Sequence, residues 1–362
     1  MRFSLSRNET VDALRKKIDQ IDEKLVALLN DRAALAQRIG LAKNSNHLEI
    51  YVPGREKEIL RRVSRLNPGK ISEAGIRSIF REIISASRSL EAPLKVAYFG
   101  AEASYTHLAA ADKFGSSAML MPTATIGDVF QEVTKGRACF GVVPIENSTE
   151  GVVAHTLDLL VESELKIYAE AYLEIHHNLL SRTGRARDIQ TIVSHPQALA
   201  QCRRWLMGHF PEAKIDEVAS TAHAAMAAAE NHRVGAVSSA LAKAVYKLRI
   251  VAANIEDHSN NITRFLIVGK EESRPTGDDK TSVVFSVKDE PGILVRMLQP
   301  FAKGQINLTK IESRPIKNKP WEYMFFIDFK GHQGEGRVRK AIGQLENNCL
   351  FLKVLGSYPS GL

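Results

Sequence analysis

Apolar residues recur at Leu14, Ile18, Ile21, Leu25 and Leu28, alternating steps of four and three in a heptad-like seam. The seam predicts one uninterrupted helix over residues 10–43, with no proline inside it. At 1.5 Å per residue that helix is roughly 50 Å long. Pro53 suits the first turn of a second helix, whose apolar face is Ile59, Leu60, Val63 and Leu66. Ser72 is placed to cap a third, with Ile76, Ile79, Phe80, Ile83, Ile84 and Leu90 turned inward. So long a stripe outruns two shorter partners. A dimer of interlocked three-helix units is the simplest way to bury it.

The hydrophobic period changes after Ala92 and Pro93. Short apolar strands at 95–100, 141–145, 190–195, 234–238 and 262–269 alternate with helical stretches. This predicts an α/β domain on a mainly parallel sheet, with ligands at the carboxyl ends of its strands. Residues 271–280 form a polar linker. Beyond it, strand 281–288, helix 292–304, strands 307–316 and 321–330, helix 337–347 and strand 350–356 follow the βαββαβ order of a ferredoxin-like unit. The expected chain is multidomain: an all-α three-helix domain at 1–92, an α/β domain at 93–270, the linker, and a ferredoxin-like domain at 281–362.

Composition narrows the function classes. With 44% apolar and 25% charged residues the chain reads as a soluble globular protein. No apolar run approaches membrane-spanning length, and the N-terminal residues do not read as a secretory signal. Cys139, Cys202 and Cys349 are far apart and not in metal spacing, so they read as buried thiols in a reducing, cytoplasmic setting. The net charge is +8, and residues 1–92 carry 18 basic against 12 acidic side chains. Those charges are spread along helices, with Phe3, Tyr51 and Phe80 the aromatics among them. That is the pattern of an anionic small-molecule binder rather than a nucleic-acid surface.

Arg32 and Lys43 are eleven residues apart and share one helix face, whereas Arg15 lies about 100° away. Arg55 and Glu56 open the second helix, and Phe80, Ile84, Ser87 and Glu91 form a stripe that turns from apolar to polar. Taken singly, each charge is an ordinary solvated one. Together, LRKKIDQIDEKLVALLNDRAALAQRIGLAK, PGREKEIL and IFREIISASRSLE resemble the all-helical chorismate mutases. The resemblance implies that Arg15, Arg32 and Arg55 hold the two substrate carboxylates, Arg15 coming from the partner protomer. It implies that Lys43 and Glu91 are catalytic, Lys43 by stabilising charge on the ether oxygen, that Glu56 accepts a substrate hydroxyl, and that Ser87 binds substrate. Two departures stand out: Val52 where some relatives carry a carboxylate, and Glu91 where some carry glutamine. The rearrangement is pericyclic, so catalysis comes from holding a compact conformer and stabilising a polar transition state.

In the α/β domain the strand ends read FGAEASYTHLAA (99–110), VVPIENSTEGVV (142–153) and SHPQAL (194–199), with STAHAAM (220–226) opening a helix and NITRFLIVG (261–269) a late strand. Ser104, Tyr105 and Thr106 are placed to cap a helix and offer N–H groups to an anion. Each segment alone reads as a loop or cap; together they gather hydroxyls and amides at several strand mouths. PIEN, SHPQ and TRF resemble the prephenate dehydratases. That implies two α/β lobes, similar to periplasmic binding proteins, with the site between them, and Thr263 as the catalytic threonine that helps the ring hydroxyl leave. It also implies Glu146, Asn147, Ser194, His195, Gln197 and Arg264 in the site. Ala101 and Ala103 stand where relatives often have Pro and Gly, which alters loop stiffness.

DEPGILVRML (289–298) and IESRPIKNKPWEYMFFIDF (311–329) resemble the ACT regulatory domain. The resemblance implies phenylalanine bound at a dimer interface by Gly292, Ile293, Leu294 and Val295 together with Glu312, Ser313, Arg314 and Pro315. Ile293 replaces a smaller alanine of relatives. The whole implies a two-step enzyme acting on chorismate and then prephenate, inhibited by phenylalanine. It would be a homodimer or larger homo-oligomer, with no cofactor, no metal, no nucleic acid and no membrane. A non-catalytic sensor is the rival reading, opposed by Thr263 and PIEN. A dehydrogenase fusion would need a dinucleotide fingerprint, and no GxGxxG is present. Arogenate, which differs from prephenate by an amino group, stays open as a substrate.

Overall fold

The computed structural model describes residues 10–45, 51–288, 290–315 and 323–361. Phe3, Asp289 and residues 316–322, all within segments singled out above, lie outside the described residues. Among the described residues no helix is long and apolar enough to cross a membrane.

The N-terminal unit is all-α: α1 (Val11–Ser45), α2 (Pro53–Leu66) and α3 (Glu73–Ser89). Pro53 starts α2 and the Ser72 side chain accepts from the Gly75 N–H to cap α3, as expected. The C-terminal half of α1 packs on α3 through a stripe of Arg32, Ala36, Gly40 and Lys43. A methyl group on Gly40 would lie 2.9 Å from the Glu91 backbone, so glycine sets the closeness of the two helices. The seam itself is open: Ile18, Ile21, Leu25 and Leu28 are 51–63% exposed within one chain.

The α/β part comprises two lobes. The first holds β1 (Lys95–Phe99), α4 (Tyr105–Phe114), β2 (Met119–Thr123), α5 (Ile126–Thr134), β3 (Phe140–Asn147), β4 (Gly151–Val152), α6 (Ala154–Glu162) and β5 (Lys166–Glu174). The second holds β6 (Asn178–Ser181), β7 (Thr191–Ser194), α7 (Pro196–Gln201), α8 (Arg203–His209), β8 (Lys214–Glu217), α9 (Thr221–Glu230), β9 (Val234–Ser238), α10 (Leu241–Val245) and β10 (Arg249–Ala252). The chain then returns to the first lobe as β11 (Ile262–Gly269). The sheet orders are β2-β1-β3-β11-β5 and β10-β6-β9-β7-β8.

Each sheet is mixed rather than mainly parallel, and the reason is the crossing. β11 arrives from the other lobe and runs antiparallel to β3 and β5; β6 does the same between β9 and β10. The two crossings are tied by the Ile175 N–H to the Asn261 carbonyl at 2.8 Å.

The C-terminal part is the expected βαββαβ unit: β12 (Asp279–Ser286), α11 (Ile293–Lys303), β13 (Leu308–Pro315), β14 (Tyr323–Lys330), α12 (Gly336–Glu346) and β15 (Phe351–Pro359), in sheet order β13-β14-β12-β15. The linker is shorter than its polarity suggests, because Asp279 and Lys280 are buried in β12. Val284, Phe326, Leu355 and Tyr358 share one core with Ala97, Val143 and Leu266 of the first lobe. Burial is also uneven among the cysteines. Cys202 is buried as expected, but Cys139 is exposed and Cys349 half-buried.

Candidate active sites

Strand direction builds the cleft. Thr263 lies at the amino end of β11, yet because β11 is reversed it pairs with Asn147 at the carboxyl end of β3. Asn147 Nδ2 donates to Thr263 Oγ1 at 2.8 Å and to Asn261 Oδ1 at 2.6 Å. Its Oδ1 accepts from the Thr149 and Glu150 N–H groups at 2.9 and 3.0 Å, which fixes which end of the amide faces Thr263. A cavity of about 1190 Å³ opens over this pair, lined from both lobes.

Ser104 and Ser220 cap α4 and α9 by accepting from the His107 and His223 N–H groups, and both line the cavity. The positive ends of two ten-residue helices therefore face it. Ala103 adopts a left-handed backbone, φ 62°, at the turn into α4. Its N–H donates to His107 Nδ1 and its carbonyl accepts from Ser239.

Of the expected dehydratase residues, Ser104, Tyr105, Thr106, Asn147, His195, Gln197 and Thr263 line the cavity. Gln197 of the second lobe donates to Glu150 of the first at 3.0 Å. Three others are turned elsewhere. Ser194 is fully buried and donates to the Val237 carbonyl at 2.6 Å, joining β7 to β9. Glu146 faces away from Asn147 and pairs with Lys310 of β13 at 2.6 Å. Arg264 faces away from Thr263 into a buried cluster, donating to Glu170 at 2.8 Å, Asp328 at 2.6 Å and the Tyr358 hydroxyl at 2.9 Å. Neighbours on a strand point to opposite faces, so PIEN and TRF each send one residue to the cleft and one to the ferredoxin-like domain.

His177 and Gln201 also line the cavity and lie outside the segments read from sequence, and Asn261, the first residue of NITRFLIVG, lines it too. His177 and Asn261 sit in the two inter-lobe crossings, where a two-lobed chain must place residues beside its cleft.

In the helical unit, Arg32 donates to Ser87 Oγ and to the Ile83 carbonyl. Burial lowers its pKa from the ordinary value, opposed by Glu91. Lys43 and Glu91 form an ion pair at 2.9 Å, with 21% and 12% of their side chains exposed. Glu56 pairs with Arg88, a buried residue passed over in the sequence, whose guanidinium also lies 5.1 Å from the Tyr51 ring centre. Arg15 is 73% exposed beside Asp12, and Arg55 is exposed at the start of α2. Arg32, Lys43, Ser87 and Glu91 thus come together, while Arg15 faces outward.

In the ferredoxin-like unit, Gly292 takes φ 75° to cap α11, a left-handed conformation suited to glycine. Ile293 and Leu294 pack against the local core and Val295 is exposed. Glu312, Ser313, Arg314 and Pro315 lie on edge strand β13. Arg314 is engaged with Asp158 of α6 at 3.3 Å, so it faces the first lobe rather than Gly292's turn.

A helical cluster of cations and a two-lobed cleft define an enzyme with two candidate active sites, followed by a ferredoxin-like domain. Residues 14–92 match the chorismate mutase type II family, 96–273 the prephenate dehydratase family and 281–347 the ACT domain. The bifunctional chorismate mutase/prephenate dehydratase of Aquifex aeolicus is 50% identical over 358 residues, 98% of this chain and 99% of that protein. The Escherichia coli K12 protein of that name is 32% identical over 370 residues, 96% of each. A solved prephenate dehydratase from Arthrobacter aurescens, in complex with L-Phe, superposes with a TM-score of 0.68 at 34% identity, covering 74% of this chain and 90% of that one. The chain belongs to the bifunctional chorismate mutase/prephenate dehydratase family and carries both activities.

Proposed function

We propose that the helical domain (1–92) converts chorismate to prephenate, that the cleft of 93–270 converts prephenate to phenylpyruvate, and that phenylalanine bound by 281–362 inhibits the second step. The observation that carries the dehydratase reading is the Asn147–Thr263 hydrogen bond. With its oxygen accepting from Asn147, the Thr263 hydroxyl has its own proton to give. That proton goes to the departing ring hydroxyl, which leaves as water, and solvent returns a proton to the threonine oxygen. The carbon–carboxylate bond breaks, CO₂ departs, and its electron pair completes the aromatic ring. The N-termini of α4 and α9 suit the substrate's carboxylates. His195 and Gln197 act from the second lobe.

In the mutase, Arg32 and Arg55 bind carboxylates, with Arg15 supplied by a partner chain. Its outward position and the open α1 seam support a homodimer. Lys43 meets the ether oxygen, Ser87 orients Arg32, and Glu56 takes the substrate hydroxyl when released from Arg88. Glu91 holds Lys43 in place. Lys43→Ala is expected to lower mutase kcat about 10²-fold, the scale for losing one preorganised charge donor. Dehydratase turnover of supplied prephenate should stay at the wild-type rate. Loss of both activities in a folded variant would rule out separate sites.

For phenylalanine the support is the turn at Gly292 beside Ile293, Leu294 and Val295, and the L-Phe complex of the Arthrobacter neighbour. Glu312, Ser313 and Pro315 complete the reading, with Arg314 bracing β13 against α6. Deleting the domain is a poor test, because its Val284, Phe326 and Leu355 belong to the first lobe's core. Gly292→Ala strains a left-handed residue by about 1 kcal/mol and adds a methyl at the turn. It is expected to shift phenylalanine inhibition to higher concentration and spare the uninhibited rate. An unchanged inhibition curve would put the sensor elsewhere. The decisive experiment on the whole reading is product identification with chorismate as sole substrate, with and without phenylalanine. Phenylpyruvate that disappears on adding phenylalanine is expected; accumulation of prephenate alone would refute the second step.

A further inference from the structure

The polar chain beneath Thr263 has one self-consistent direction. It starts at Asn147, whose amide is fixed by the Thr149 and Glu150 N–H groups. Asn147 Nδ2 meets Asn261 Oδ1, so Asn261 Nδ2 must face Gln201 Oε1, at 2.8 Å. Gln201 Oε1 then has only acceptor character to offer His177 Nε2, also at 2.8 Å. His177 must carry its proton on Nε2. Burial disfavours the charged ring, lowering its pKa from the ordinary value, although Gln201 and Glu256 work the other way. Its Nδ1 is left as an acceptor for the Tyr105 hydroxyl, 2.7 Å away. The single proton of that hydroxyl goes to the nearer Nδ1, with the His176 carbonyl, at 2.9 Å, the competing acceptor. His177 is 3% exposed, and its backbone N–H donates to Glu256 at 2.9 Å.

We propose that His177 is a positioning residue for the dehydratase: its Nε2–H sets the Gln201 amide and, through Asn261 and Asn147, holds Thr263 as an acceptor within the protein, with its own proton turned to substrate. The inference rests on Thr263 being the group that meets the leaving hydroxyl. The opposite tautomer would bring a lone pair against Gln201 Oε1. Turning Gln201 round would force Asn261 round and bring its amide hydrogens against those of Asn147. The mismatch cannot be absorbed by Asn147, which is pinned by backbone, and so it falls on the bond to Thr263.

Two amides separate positioning from packing. Glutamine at 177 can put an N–H near the lost Nε2, whereas asparagine reaches only the Nδ1 position. His177→Asn is expected to lower kcat on supplied prephenate about 10- to 100-fold, the scale of a slightly misplaced catalytic group, with KM within about twofold. His177→Gln should recover most of that loss. Denaturant unfolding of the dehydratase part in the same chains reports folding. Equal losses in both variants, or a loss that lies in KM, would overturn the proposal. Should both variants fail to fold, ¹⁵N shifts of labelled histidine in the wild-type enzyme decide it. A neutral Nε2–H ring is expected at pH 7, and an Nδ1–H ring or an imidazolium would overturn it. The tautomer does not depend on Thr263. If Thr263→Ala kept full activity, the threonine reading would fail while the tautomer could still be as stated.

Discussion

Thr263→Ala is expected to lower dehydratase kcat by about 10²–10⁴, the range for a positioned proton donor, while prephenate continues to form from chorismate at the normal rate. Thr263 is 8% exposed and its hydroxyl is already committed as an acceptor to Asn147. Removing it takes away the donor and leaves one Asn147 N–H without its partner, yet the gap, one hydroxyl and one methyl, is small. KM should therefore change little beside kcat. Thr263→Ser keeps the oxygen but frees its rotation, so an intermediate rate is expected. Stopped-time assays that quantify prephenate and phenylpyruvate separately check both variants. Phenylpyruvate formed from supplied prephenate at the wild-type rate in Thr263→Ala would remove the residue from the mechanism.

The hydrophobic seam of α1, the caps at Pro53 and Ser72, and the βαββαβ order were legible because each is a local periodicity or a local hydrogen bond. β5 was not, although it is nine residues long. Glu170, at its centre, is 1% exposed and answers charges from elsewhere in the chain. A buried charge paired over 94 residues breaks the apolar pattern that marks a strand. The dehydratase motifs were legible as motifs, but their faces were not. The alternation of a strand already forbids Glu146 and Asn147, or Thr263 and Arg264, from sharing one cleft. Which of each pair faces substrate depends on the reversed register of β11, a property of the crossing rather than of either segment. His177 and Gln201 carry no periodic signal, since their positions follow from where the two lobes meet.

Arg264 is where that distinction has the largest consequence for stability. Its side chain is 8% exposed, and the guanidinium donates to two carboxylates on different domains, Glu170 of β5 and Asp328 of β14, and to Tyr358 of β15. Burial opposes its charge, but Tyr358, Asp328 and Glu170 outweigh that and raise its pKa above the ordinary arginine value. Lys280 gives Glu170 a second cation at 2.8 Å, whereas without Arg264 Asp328 keeps only neutral Ser282, at 2.6 Å, as a side-chain donor among the described residues. Arg264→Met fills the space but strands Asp328, so a loss of about 3–5 kcal/mol is expected in denaturant unfolding of the dehydratase and ferredoxin-like part. Adding Asp328→Leu removes the stranded charge, so the double variant should lose less than the two single losses together. KM separates this role from substrate binding. At a temperature where Arg264→Met is folded, KM for prephenate should match wild type. A several-fold rise in KM with unchanged unfolding free energy would return Arg264 to the cleft, as the TRF motif alone suggests.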